Sequence, residues 1–152
     1  MGRMRQSKRE GVRDMAANPR LGAVARPVGP SDLEAAIQRS RGMLDLPDNW
    51  DDDGGSRIDA ATWERVTSFL RDNTLHLWSE EHVYAGAPLI FPVGDGSIDI
   101  HWRDERRQLL INVPTAGDEP IEFYGDDRGR TVVKGIVDPS VSTRWLFAWL
   151  TT

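Results

Sequence analysis

Cysteine is absent from this 152-residue sequence. That excludes a disulfide scaffold, a thiolate zinc site and a cysteine nucleophile, and it fits a reducing compartment. Long apolar runs are missing too: no stretch approaches the roughly 20 residues a membrane-spanning helix requires. The opening residues carry none of the apolar core of a secretory signal, and Gln6 stands where a myristoylation motif wants Ser or Thr. Together these absences predict a cytoplasmic protein without membrane association.

What is present is unevenly charged. The formal net charge is −5. Residues 1–29 hold seven basic side chains (Arg3, Arg5, Lys8, Arg9, Arg13, Arg20, Arg26) against Glu10 and Asp14, a local net of +5. The remainder carries 12 basic and 22 acidic residues, a net of −10. A basic arm on an acidic body accompanies polyanionic partners or self-association. The length favours one domain, which at this size buries roughly 70% of its unfolded surface. The six tryptophans are therefore expected mostly in the core, since each brings a large apolar area and one N–H to satisfy.

Periodicity divides the chain into a basic tail, 1–29, and a single α+β domain, 30–152. The tail lacks an apolar repeat and ends in a Pro/Gly stretch. Ser31 and Glu34 have the spacing of a capping box, and Leu33, Ile37, Ser40 and Leu44 lie on one helical face until Pro47 ends it. A loop rich in acids follows. Asp59 then caps a second helix over about 60–77, striped by Trp63, Val66, Leu70 and Leu77. From Pro88 the period becomes two. Leu89, Phe91 and Val93 alternate in a strand that Pro88 and Pro92 push to an edge. SIDIHWR places Ile98, Ile100 and Trp102 on one face, and QLLINV does the same with Leu109, Ile111 and Val113. Ile121 and Phe123, then RTVVKGIV, complete an antiparallel meander of four to five strands with one face wet. Asp138 and Pro139 have the chemistry of a helix start, and Trp145, Leu146, Trp149 and Leu150 make that helix apolar. Helices packed on one face of the meander give a two-layer α+β fold.

NWDDDGG, a helix with an early Trp, a proline-bounded strand, DGSIDIHW and LLINVP together resemble an uncharacterised family of short bacterial proteins. The resemblance runs from about Leu46 to Tyr124, half of the chain, and departs from the family where acids replace an aromatic in the loop. It implies a bacterial or phage origin and a shared fold, and it brings no catalytic residue with it.

Three features could carry chemistry. Asn49, Asp51, Asp53 and Gly54 fit the first half of a calcium loop, but the bidentate position falls on Ala60. The alternative is structural, with Asp side chains holding turn amides, Gly54 and Gly55 supplying positive φ, and Trp50 plugging the core. His76 and Glu80, one turn apart with His82 nearby, have a metal pair's spacing. No third ligand follows, and Trp78 and Val83 point to packing. No nuclease, P-loop, serine-hydrolase or dinucleotide motif is found, so neither a catalytic residue nor a cofactor is assigned.

The third feature is the wet sheet face. Pairing Arg103 with Gln108 across the turn sets His101 beside Leu110 and Asp99 beside Asn112, and the next strand adds Tyr124 and Glu122. The expectation is a partner-binding face of His101, Leu110, Asn112, Glu122 and Tyr124 in a non-catalytic protein-interaction module, antitoxin- or immunity-like in its sharpest form. One alternative is a nucleic-acid-associated protein binding phosphates through Arg3, Arg5, Lys8, Arg9 and Arg13. Another is a small hydrolase using the acidic loop and His101.

Overall fold

The computed structural model describes residues 30–138 and 142–152. Helix α1 (Pro30–Ser40) continues into a 3-10 turn (Arg41–Asp45), and its apolar stripe is buried through Leu33, Ala36, Ile37 and Met43. The expected capping box does not form. The helix begins at Pro30, and the Glu34 carboxylate instead takes both arms of Arg71 from the next helix, at 2.8 and 2.9 Å. Two charge-assisted bonds outcompete one bond to a backbone N–H.

Helix α2 (Ala60–Glu81) follows Asp59 and runs on past 77, ending at His82 in the left-handed conformation. Trp63, Val66, Leu70 and Leu77 are buried as their spacing requires. The Trp63 indole donates to Ser40 Oγ at 2.9 Å, and that hydroxyl donates to Ile37 O, which joins the two helices through one buried polar contact.

Five strands, β1 (Leu89–Pro92), β2 (Ile98–Arg103), β3 (Gln108–Val113), β4 (Ile121–Asp126) and β5 (Val132–Val137), form one antiparallel sheet in chain order. Ile98, Ile100, Trp102, Leu109, Ile111 and Val113 all turn inward and are at most 5% exposed. The Trp102 N–H is satisfied by Gly86 O at 2.9 Å. The alternation in β1 belongs to the other face: Leu89 pairs with His101 and Phe91 with Asp99, so both point outward, and Ile90 packs inward. Parity in an edge strand is set by its neighbour, whatever its own composition.

Helix α3 (Arg144–Thr151) closes the layer with Leu146, Phe147 and Leu150. It starts at Arg144, and the start expected at Pro139 lies outside the described residues. Thr143 is tied to the Asn73 side chain and Arg144 to Glu80 Oε1 at 2.5 Å, so α2 fixes the chain just where the helix begins. Trp149 lies against Gly125, where a Cβ would sit 3.0 Å from the indole and 2.9 Å from Gln108 O.

The tryptophans correct the expectation of a mostly core role. Only Trp63 and Trp102 are buried, whereas Trp50, Trp78 and Trp149 are half-buried and Trp145 is exposed, edge-on to Phe123. Among the described residues no helix is long and apolar enough to cross a membrane.

Candidate interaction face

The outer face of the sheet is organised in rows by its hairpin registers. One row runs Leu89, His101, Leu110, Tyr124, Lys134 across all five strands. The adjacent row is Phe91, Asp99, Asn112, Glu122, Ile136. A shorter third row carries Arg103, Gln108, Asp126 and Val132. The register predicted for β2, β3 and β4 is the one observed, so His101, Leu110, Asn112, Glu122 and Tyr124 form one contiguous patch.

Sequence reasoning missed the flanks of this patch. Leu89, Phe91, Val132 and Ile136 lie on the same face and are 67%, 38%, 49% and 59% exposed, beside Tyr124 at 43%. The composition of β1 carries no signal for this, since its parity comes from the register against β2, which sets Leu89 opposite His101.

Polar groups in the middle of the face satisfy one another. Asn112 Nδ2 donates to Asp99 Oδ1 at 2.8 Å and to Ser97 Oγ at 2.9 Å, and the Ser97 hydroxyl donates onward to Asp95 Oδ1 at 2.5 Å. His101 Nε2 lies 3.3 Å from Gln108 Oε1, and Gln108 Nε2 donates to Asp126 Oδ2 at 2.9 Å. The Ser97 hydroxyl and N–H hold the Asp95 carboxyl below the usual carboxylate range. The Gln108 amide, followed by the N–H groups of Arg128 and Gly129, does the same for Asp126. The Glu122 and Lys134 side chains engage no described residue. His101 Nε2 thus faces an amide, and no carboxylate among the described residues bonds the ring.

The acidic loop is built as a turn. Asp51 Oδ1 accepts the N–H groups of Asp53 and Gly55 at 3.0 and 2.7 Å, which lower its pKa in that order. Asn49 Oδ1 accepts Gly54 N–H at 2.6 Å. Positive φ falls on Asn49, Asp52 and Gly54, not on Gly55. Gly55 is needed for space instead, since a Cβ there would lie 2.6 Å from Asp51 Oδ1. Trp50 does not plug the core; it is half-buried and its indole donates to Ser56 O at 2.8 Å, closing the loop. The loop sits against the β1–β2 turn through Ser56 N to Gly94 O, whereas His101 lies near the other end of β2.

His76 and Glu80 approach to 3.6 Å, but Glu80 is shared with Arg144, and His82 packs on the Trp78 ring. Among the described residues no group of three or more His, Asp or Glu side chains could hold a metal ion. Arg3, Arg5, Lys8, Arg9 and Arg13 lie outside the described residues. Compared with models of protein families, with curated proteins and with solved structures, the chain matches none.

Proposed function

We propose that this protein is a non-catalytic interaction module that docks another protein chain on the outer face of its sheet. The observation supporting this is the band of exposed large apolar side chains, Leu89, Phe91, Tyr124, Val132 and Ile136, surrounding a hydrogen-bonded polar centre. Exposed apolar side chains grouped on one face and rimmed by polar residues suit a binding surface, and Tyr is enriched among the residues that anchor interfaces. The acidic body, net −10 over residues 30–152, selects a basic partner surface and speeds the encounter. An antitoxin- or immunity-like action, occluding the surface of a harmful partner, is the sharpest form of this reading and draws on the resemblance to short bacterial proteins.

The experiment compares the intact chain with Tyr124→Ala and Leu89→Glu in capture from the native host, followed by affinity measurement on the purified partner. Loss of binding in both, with retention in Asp52→Lys/Asp53→Lys, is the expected result. Loss in the loop variant alone would move the interface to the helix side and overturn this reading. Light scattering on the same variants tests whether the partner is a second copy.

The charge split favours a second reading, binding of nucleic acid through residues 1–29. Affinity would then fall steeply with salt as neutralised phosphates release counterions, and Arg3→Glu/Arg5→Glu/Arg9→Glu would abolish it. Binding indifferent to salt would remove this reading.

A further inference from the structure

The two edges of the sheet are finished differently. At the β1 edge the Val93 N–H bonds Ser97 O at 2.9 Å. Rungs of an antiparallel pair alternate, so Phe91 and Leu89, opposite Asp99 and His101, turn their backbone groups to β2. Ile90 and Pro92 are left facing outward, and Pro92 has no N–H to give. The β5 edge carries no such block. The Asp127 N–H bonds Thr131 O at 3.2 Å across the closing turn, and the same alternation commits Val133, Gly135 and Val137 to β4. Val132, Lys134 and Ile136 aim their N–H and C=O groups away from β4, and no described residue takes them. Val132 and Ile136 are 49% and 59% exposed, and Lys134 and Gly135 are exposed beside them.

An open strand edge is a template for another strand, and β5 is complementary to itself. Two β5 strands can meet antiparallel about a two-fold axis perpendicular to the sheet, which keeps like faces on the same side. Hydrogen bonds then form only where outward-aimed residues pair with each other. Two such registers give the longest overlap. One sets Lys134 opposite Lys134, and like charges directly opposite disfavour it. The other is centred on Gly135. It lays the Lys134 stem along Ile136 of the second copy, and on the inner face it sets Val133 opposite Val137, both half-buried. Gly135 brings no side chain to the axis, and the Phe123 ring already stands 3.3 Å from where its Cβ would be.

We infer that β5 is a dimerisation edge, which joins two copies of this chain into one continuous sheet in the register centred on Gly135. Lys134 and Ile136 of each copy exchange backbone bonds with Ile136 and Lys134 of the other, and the two-fold closes the assembly. A single strand pair is a small interface, so the dimer is weak and forms as concentration rises. This contact does not rest on the outer-face docking proposed above.

The test is sedimentation of the full chain over a concentration series, with amide hydrogen exchange at both ends of it. A monomer–dimer equilibrium is expected, with the N–H groups of Lys134 and Ile136 protected only at high concentration. Ile136→Lys sets a lysine opposite Lys134 twice, whereas Ile136→Glu sets two opposite charges there, so the glutamate variant should dimerise about tenfold more tightly than the lysine variant. Lys134→Pro removes an outward N–H and spares the ladder to β4, so a folded monomer is expected. If that variant fails to fold, the two Ile136 variants decide. Tyr124→Ala should leave the dimer intact, which separates it from the outer-face site. A wild-type monomer at millimolar concentration, equal dimerisation of the two Ile136 variants, protection confined to other amides, a dimer of folded Lys134→Pro, or loss of the dimer in Tyr124→Ala would overturn the assignment.

Discussion

The two faces of the sheet share the same strands and the same alternation, and they differ in where the apolar mass sits. On the inner face it is central: β2 and β3 supply Ile98, Ile100, Trp102, Leu109, Ile111 and Val113, all sealed under helices. On the outer face the centre is largely polar and hydrogen-bonded, and the largest exposed apolar side chains stand on the edge strands, Leu89 and Phe91 on β1, Val132 and Ile136 on β5. Edge strands are where proteins normally place charge to prevent unwanted pairing. Here β1 is blunted in its backbone by Pro92, which offers no N–H, and β5 by Lys134, while apolar side chains remain on display.

The comparison breaks most severely if the faces are misassigned. Trp102→Ala removes a 5%-exposed indole from the inner face and should cost about 3–5 kcal/mol in urea denaturation, as large-to-small core changes do. A stable Trp102→Ala protein that no longer binds a partner would reverse the faces. Next is Gly125→Ala, whose Cβ would meet the Trp149 ring and Gln108 O. Overpacking should cost about 1–3 kcal/mol, and a wild-type denaturation midpoint would show that α3 seats loosely on β4.

Tyr124→Ala sharpens the contrast from the outer side. Partner affinity should fall by about 1–2 kcal/mol, with stability changed by less than about 0.5 kcal/mol. A stability loss as large as that of Trp102→Ala would mean that the outer face is covered.

Acid tests the loops and turns that frame the sheet. Asp51, Asp95, Asp104, Asp126 and Glu34 all have lowered pKa values, from hydrogen bonds to backbone N–H groups, Ser97, Gln108 or Arg71. A carboxylate whose folded pKa is lowered stabilises fully above its unfolded value and loses that contribution as pH falls through the folded one. Denaturation midpoints should therefore decline below about pH 4. Asp51→Asn keeps an acceptor oxygen and removes the titration, so it should flatten part of that slope, and an unchanged slope would deny the loop its share.

The smallest effect is expected at Tyr84. Its hydroxyl is buried without a partner of hydrogen-bonding geometry among the described residues, and burial first, then the nearby Asp32 charge, push its pKa up to about 12, with the Leu33 backbone N–H offsetting a little. Tyr84→Phe should change stability by less than about 0.5 kcal/mol, or raise it. A clear loss in urea denaturation would reveal a bond to that hydroxyl.

Much of the fold was legible because it rests on local rules. The stripe of α2 and the parity of Ile98, Ile100 and Trp102 follow from periods of 3.6 and 2 and from which residues are apolar. The central patch, His101 to Tyr124, was legible because short polar turns set the hairpin register. Its edges were not, because β1 and β5 contain apolar residues on both parities, and only their neighbours choose which set is buried. Glu34 shows the same limit at one residue. Its spacing from Ser31 satisfies a local motif, yet Arg71, 37 positions away, claims it.

By itself, then, the sequence determined the element order, the inner face of β2 and β3 and the split between a basic arm and an acidic body, since each depends on neighbours a few residues apart. Tertiary structure alone decided that Leu89 and Ile136 face outward and that Trp145 stays exposed. Those outcomes depend on which distant surfaces meet, and no period or motif within a segment encodes that.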